Sequence, residues 1–220
     1  MVTLLISGSG TSVGKTRIMG ALARAAGERG RSVQLIKPVQ TGVATGEPLD
    51  ADIAKELAGV SSTTAMTLRS YSAALAPIAA ARMEGIRLDP LELAKETLAQ
   101  PSVDLRLIEG AGGLAVPLQS PGWDWVDFAL AARVNAVVLV VPDQLGAINW
   151  ARLAHHYLVS KSGSRLRAGI FLNGIEAVSP EVKSSTRAAL NELGIPVWGE
   201  LAANFTEAKL HPTLVELIGA

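Results

Sequence analysis

Short apolar runs alternate along this chain with longer amphipathic stretches, in the order of a parallel sheet wrapped by helices. Val2 to Ile6 is an apolar run before Gly8 and reads as a buried strand. Thr16 to Glu28 reads as a helix. Ile18, Leu22, Ala25 and Ala26 supply much of its apolar face, and Gly27 and Gly30 surround its end. Ser32 to Lys37 is a second strand, which Pro38 stops. Strand, loop, helix and strand in succession form the unit of a parallel sheet.

The middle is less regular. Residues 42–50 are rich in Gly, Thr, Pro and Asp and predict a loop, with Asp50 capping a helix to Leu57. Met66 to Tyr71 predicts a short strand, and the alanine-rich stretch Ala73 to Ala81 is interrupted by Pro77. Asp89 and Pro90 fit the cap and first turn of a helix to about Gln100. Further strands are predicted at Leu105 to Ile108, Ala136 to Val141, Arg167 to Leu172 and Pro196 to Gly199. Helices are predicted at Trp125 to Ala132, Ala147 to Leu158, Pro180 to Leu193 and Glu207 to Ile218. No fixed-period repeat and no long linker interrupts this order. The fold expected is α/β: a single doubly wound domain over residues 1–220, with a mostly parallel central sheet and a variant phosphate loop.

Composition narrows the class. The 220 residues are 49% hydrophobic and 18% charged, enough apolar surface for a core and against general disorder. Lys+Arg and Asp+Glu are both 20, so no basic surface for nucleic acid is indicated. With no cysteine, thiolate catalysis, disulfides and Cys-ligated metals are excluded, and three histidines make a multi-His metal site unpromising. The first residues lack a positively charged segment and no apolar run reaches 18 residues, so the expectation is a cytoplasmic protein with no membrane partner.

The strongest local signal is Gly8-Ser9-Gly10-Thr11-Ser12-Val13-Gly14-Lys15-Thr16, between a strand and a helix. Backbone N–H groups of such a loop surround phosphates, Lys15 meets β/γ charge and the Thr16 hydroxyl suits Mg²⁺. The strict pattern places glycine at position 9, where this chain has Ser9, so the loop is a variant. A glycine-rich turn before an ordinary helix is the plainer reading, and the Gly-Lys-Thr context argues against it.

A phosphate-loop enzyme needs carboxylates near Mg²⁺. Glu109 ends an apolar strand before Gly-Ala-Gly-Gly and is a metal candidate by position. Asp52 alone reads as a first-turn helix residue, and Asp50 competes with it; Asp143 is another strand-end carboxylate. Lys37, ending the second strand, either snorkels at the sheet edge or places a second positive charge beside a transferring phosphate. Gly110, Gly112 and Gly113 permit close backbone approach to a ligand, or form a tight turn.

In these motifs the chain resembles the dethiobiotin synthetases, which make dethiobiotin from 7,8-diaminopelargonic acid, carbon dioxide and ATP. The phosphate loop, Lys37-Pro38-Val39-Gln40-Thr41-Gly42, Leu107 to Gly113 and Leu145-Gly146-Ala147-Ile148-Asn149 carry the resemblance. It implies ATP bound by Gly10, Thr11, Ser12, Val13, Gly14, Lys15 and Thr16, with Asn173 contacting the base. It implies Mg²⁺ on Thr16, Asp52 and Glu109. Lys15 and Lys37 then serve phosphate and carbamate charge, with Thr11 and Thr41 near the substrate. Gly110, Ala111, Gly112 and Gly113 approach substrate and phosphate, and Gly146, Ala147, Ile148 and Asn149 receive the substrate carboxylate. The family is a homodimer acting on a small diamine and carbon dioxide.

The chain departs from the commoner pattern at Gly10 and Ser12, where acidic residues are frequent, and at Ile78 and Trp150, where histidines are. Gly199 to Asn204 lacks the usual proline of a segment that helps hold the base. No histidine base is evident among His155, His156 and His211. The neighbouring alternatives are an amidoligase of the cobyrinic acid amidase type and a partitioning or metal-insertion ATPase. The former needs a cysteine for glutamine hydrolysis, and the latter usually carries an early lysine where this chain has Gly10.

Overall fold

The computed structural model describes residues 1–119, 121–175, 178–204 and 208–219. Its centre is an eight-stranded sheet. Strands β1 (Val2–Gly8), β2 (Val33–Thr41), β3 (Thr63–Tyr71), β4 (Leu105–Glu109), β5 (Ala136–Pro142), β6 (Arg167–Asn173), β7 (Val197–Leu201) and β8 (Ala208–Leu210) lie in the order β3-β2-β4-β1-β5-β6-β7-β8. All pairs are parallel except β7 with β8.

The apolar runs are continuous because both faces of the sheet are covered. Successive side chains of a strand point to opposite faces. Leu4 and Ile6 therefore pack with Ile18 and Leu22 of helix α1 (Lys15–Gly27), while Leu5 packs with the opposite cluster. That second cluster holds Phe128 of α5 (Trp125–Ala131), Leu158 of α6 (Ala147–Ser162) and Leu190 of α7 (Pro180–Glu192). Val137 and Val138 of β5 divide in the same way. The chain winds from β1 toward β3, returns through β4, then builds outward through β5. The crevice at this reversal lies over the C-terminal ends of β1, β2 and β4.

Several boundaries differ from expectation for physical reasons. Pro38 does not stop β2. Pairing with β4 ends at Ile36↔Ile108, while pairing with β3 continues to Thr41↔Tyr71, so the proline lies where β2 has become an edge. Pro77 opens helix α3 (Pro77–Met83) at its first turn rather than interrupting one. In α2 (Asp50–Ala58) the cap position is Leu49, and Asp50 is the first helical residue, not the cap. Helix α4 (Pro90–Ala99) starts as predicted, with Asp89 accepting from Leu91 N and Glu92 N at 2.9 and 3.1 Å. Of the expected terminal helix, Glu207 lies outside the described residues. The unforeseen β8 comes first, and α8 spans Pro212–Ile218. No helix among the described residues is long and apolar enough to cross a membrane.

Candidate active site

The loop between β1 and α1 is shaped by what cannot fit there. A Cβ on Gly8 would lie 2.6 Å from Cγ2 of Val13, the buried apolar anchor of the loop. Gly14 has φ +91°, and a Cβ there would lie 2.0 Å from Nδ2 of Asn173. Only glycine meets both demands at that point. The turn aims the first N–H groups of α1 outward, as an anion requires. Lys15 folds back, its Nζ donating to Gly10 O at 2.9 Å. Burial lowers its pKa to about 8.

Across the crevice, Lys37 is buried rather than snorkelling. Its Nζ lies 2.6 Å from Glu109 Oε1 and 2.6 Å from Asp50 Oδ2. The Thr16 hydroxyl donates to the same Glu109 Oε1 at 3.1 Å. Burial alone would lower the Lys37 pKa, but the two carboxylates outweigh it and hold the ammonium above the ordinary lysine value. Burial likewise opposes ionisation of Asp50, and Lys37 overrides it, holding Asp50 below the usual carboxylate range. Glu109 is pushed upward by complete burial, against the pull of Lys37. Its Oε2 is buried without a hydrogen-bond partner.

These groups line a cavity of about 370 Å³, together with Thr11, Ser12, Gly14, Gln40, Thr41, Ala111 and Gly112. The predicted Asp52 is exposed and does not line it; Asp50 does. Gln40, which the sequence reading passed over, accepts from Asp50 N at 3.2 Å and fixes the start of α2. Asn173 is fully buried beneath the loop, donating to Val13 O at 2.9 Å, and does not line the cavity. Gly110 is packed under Trp125, where a Cβ would meet the ring at 3.1 Å, and also lies off the cavity. Gly113 and Gly10 face a second groove of about 660 Å³ beside Thr11, walled by Trp150, Leu153 and Tyr157. Gly146, Ala147, Ile148 and Asn149 line neither space. The three histidines lie outside both.

Comparison with known proteins agrees with this geometry. A family model for an AAA domain matches residues 2–205. The chain is 36% identical over 194 residues to the ATP-dependent dethiobiotin synthetase of Parafrankia sp., covering 87% of this chain and 77% of that protein. With the corresponding protein of Mycobacterium tuberculosis the identity is 37% over 198 residues, covering 89% and 84%. The chain belongs to the dethiobiotin synthetase family. Its match to the family member of Frankia casuarinae, at 41% identity, spans 62% of that relative, less than two thirds of its length.

The fold of this dethiobiotin synthetase family member is shared more widely. The septum site-determining protein MinD of Pyrococcus horikoshii, complexed with Mg-ADP, superposes with a TM-score of 0.53 at 18% identity, covering 99% of this chain and 84% of that one. At that identity the likeness concerns the phosphate-loop architecture alone. Among the described residues no cluster of three or more His, Cys, Asp or Glu is placed to hold a metal. The carboxylates lining the crevice are Asp50 and Glu109, and the Thr16 hydroxyl is bonded to Glu109.

Proposed function

We propose that the chain catalyses ATP-dependent closure of 7,8-diaminopelargonic acid with carbon dioxide to dethiobiotin, releasing ADP and phosphate. The observation that carries the reading is Lys37, buried against Glu109 and Asp50 beside the phosphate loop. A structural lysine has no need of that place, whereas a reaction that accumulates anionic oxygens does.

The donor set fits Mg²⁺. Thr16, Glu109 and Asp50 offer hard oxygens, and the partnerless Glu109 Oε2 is a buried acceptor that a cation would satisfy. Asp50 takes the role expected of Asp52. When bound there, Mg²⁺ supplies positive charge to the phosphate oxygens.

The residues of the chain do the rest. An amine beside the Lys15 and Lys37 cations is disfavoured as an ammonium, so one substrate nitrogen is held neutral. It attacks carbon dioxide, forming the N–C bond and giving a carbamate, and its proton passes to solvent water. A carbamate oxygen attacks the γ-phosphorus, and ADP leaves. Lys37 and Lys15 oppose the charge that develops on the transferring group. The second amine then attacks the carbonyl carbon of the mixed anhydride and expels phosphate, closing the five-membered urea. Thr11 and Thr41, at the rim of the cavity, position the diamine.

Gly146 to Asn149 open α6 and suit the substrate carboxylate, although they line neither of the two spaces described above. Nearby, Leu145 and Leu153 are 78% and 62% exposed. Both facts support a two-fold homodimer in which α6 of one copy completes the site of the other. Sedimentation at working concentration tests it, and a fully active monomer refutes it. The absence of cysteine and the soluble substrates support a cytoplasmic location.

The deciding experiment is incubation with the diamine, labelled bicarbonate, Mg²⁺ and ATP, followed by mass analysis. Label in dethiobiotin establishes the reaction. ATP hydrolysis without a cyclic urea would instead identify a switch ATPase.

A further inference from the structure

Trp125 opens α5 and is fully buried, yet its indole N–H reaches the active-site loop. Nε1 donates to the carbonyl oxygen of Ala111 at 2.8 Å. Ala111 belongs to the loop after β4, and with Gly112 it lines the phosphate cavity. The ring also lies against Gly110, where a Cβ would come within 3.1 Å of it. One side chain therefore holds this loop both by contact and by a hydrogen bond.

The ring is itself held. Asp124 caps α5, accepting from Val126 N at 2.7 Å, while Asp127 accepts from Asp124 N at 3.0 Å. Lys161 of α6 donates to Asp124 Oδ2 at 2.6 Å and to Gly122 O at 2.8 Å, and lies 2.7 Å from Asp127 Oδ2. The Tyr157 hydroxyl donates to Asp124 as well. Asp124 is buried, so its pairing with Lys161 is little screened. Phe128 packs edge-on against the indole, with ring centroids 5.3 Å apart. Position and orientation of the indole are thus fixed by two helices.

A trans peptide is planar, and its C=O and N–H point in opposite directions. Ala111 O faces the indole in the buried layer. The Gly112 N–H of the same peptide unit therefore faces the other way, toward the cavity that both residues line. Gly112 has φ +68°, a left-handed turn open to glycine. Among the described residues no group accepts from the Gly112 N–H. A free N–H aimed into this cavity is a donor for an anionic oxygen.

We propose that Trp125 is a positioning residue: its indole N–H pins the Ala111–Gly112 peptide so that the Gly112 N–H donates to the substrate oxygen that gains charge as the ring closes. The role rests on the ligase reading. There, the second amine forms its N–C bond to the anhydride carbonyl and gives its proton to solvent water. The carbonyl electron pair moves onto the oxygen and returns as phosphate leaves. A donor that need not reorient at that moment stabilises the oxyanion most. Lys15 and Lys37 serve the phosphoryl group, and the Gly112 N–H serves the carbon at which the ring closes.

The test removes the donor and keeps the ring. Trp125→benzothienylalanine puts sulfur in place of the N–H, Trp125→fluorotryptophan retains the N–H, and Trp125→Phe is a donorless ring within the ordinary code. In the free protein the Gly112 amide order parameter should be about 0.85 in wild type and the fluorotryptophan protein, and fall below about 0.6 in the donorless pair. With diamine, bicarbonate and MgATP, kcat of the donorless pair should fall at least about tenfold, with nucleotide Kd and diamine KM within about threefold of wild type. A ring that only fills space would leave the benzothienylalanine protein like wild type in both measurements, and that result overturns the proposal. Lost order with unchanged kcat overturns the role in ring closure. The benzothienylalanine protein decides if the phenylalanine variant does not fold. A wild type that makes no dethiobiotin refutes the ligase reading, and the order parameter, which needs no substrate, still shows whether the indole pins the Gly112 peptide.

Discussion

Lys37→Met separates the two jobs the buried ammonium holds, as counter-ion to the carboxylates and as charge for phosphoryl transfer. The side chains of Lys37 and Glu109 are 4% and 2% exposed, with a 2.6 Å contact between them. Methionine keeps most of the volume and removes the charge, leaving Glu109 beside Asp50 with no cation between them. Breaking a buried pair from one side costs about 3–5 kcal/mol. In a chain of this size each kcal/mol moves Tm by about 2–4 °C, so Tm should fall by roughly 6–20 °C. Lys37→Gln, whose amide can donate to Glu109, should lose less. The deficit has a pH signature. Without Lys37, burial holds the Glu109 pKa above its unfolded value, so the folded state binds the extra proton and stability falls as pH rises through that range. The gap from wild type should therefore be small near about pH 4 and widen toward about pH 7. Catalytically, kcat measured below the lowered Tm should fall at least about 100-fold, or ~2.7 kcal/mol, with nucleotide affinity changing much less. Thermal melts across pH, steady-state synthesis and nucleotide titration on the same preparations provide the readouts. A Lys37→Met protein with wild-type Tm and wild-type turnover would refute the whole argument, and equal losses in binding and turnover would make Lys37 a ground-state phosphate ligand.

Asp50→Asn should raise the Mg²⁺ concentration needed for half-maximal synthesis by about tenfold or more, whereas the exposed Asp52→Asn should stay within about 0.5 kcal/mol of wild type in stability and keep its Mg²⁺ dependence. A metal titration of both variants checks this, and the reverse ranking would restore Asp52. Because burial sets the Lys15 pKa of the free protein to about 8, the protonated form that attracts phosphate is lost as pH rises through that value. Nucleotide affinity of the free protein should then decline above about pH 8, and a titration flat from pH 7 to 9 would contradict the assignment. Gly14→Ala puts a Cβ 2.0 Å from Asn173 Nδ2 at φ +91°. It should cost about 2–5 kcal/mol from overpacking and left-handed backbone together, read as a fall in chemical-denaturation midpoint with loss of nucleotide binding.

Much of the fold was legible because burial on both faces writes itself as uninterrupted apolar runs. Val2 to Ile6, Leu105 to Ile108 and Ala136 to Val141 all fall inside central strands. The misreadings lie at the sheet edges, where the neighbouring strand decides. Pro38 was a reasonable stop for a strand paired on both sides, but β4 has already ended beside it. Strand β8 has three residues and pairs with β7 alone, leaving too short a pattern for periodicity to register.

At the site, backbone-determined features were readable and helix phase was not. The phosphate loop and the strand-end position of Glu109 follow from glycine spacing and strand length, whereas Lys37 does not end β2 but lies within it, one residue past its pairing with β4. Choosing between Asp50 and Asp52 required knowing which side of α2 is buried. That side carries Ala51, Ala54 and Ala58, and it meets α1 so closely that a Cβ on Gly20 would lie 2.7 Å from Leu57 Cβ and 2.9 Å from Ala54 O. At 3.6 residues per turn, Asp50 lies about 70° from the centre of the alanine stripe and Asp52 about 130°. A carboxylate about 70° away flanks the packed face and can turn to the crevice, and one about 130° away points to water. The alanine stripe therefore held the discriminating signal. Trp125 offers no comparable clue, because it reads as one more apolar first-turn residue, and the oxygen it holds is a backbone atom of Ala111, 14 positions earlier, which has no sequence signature.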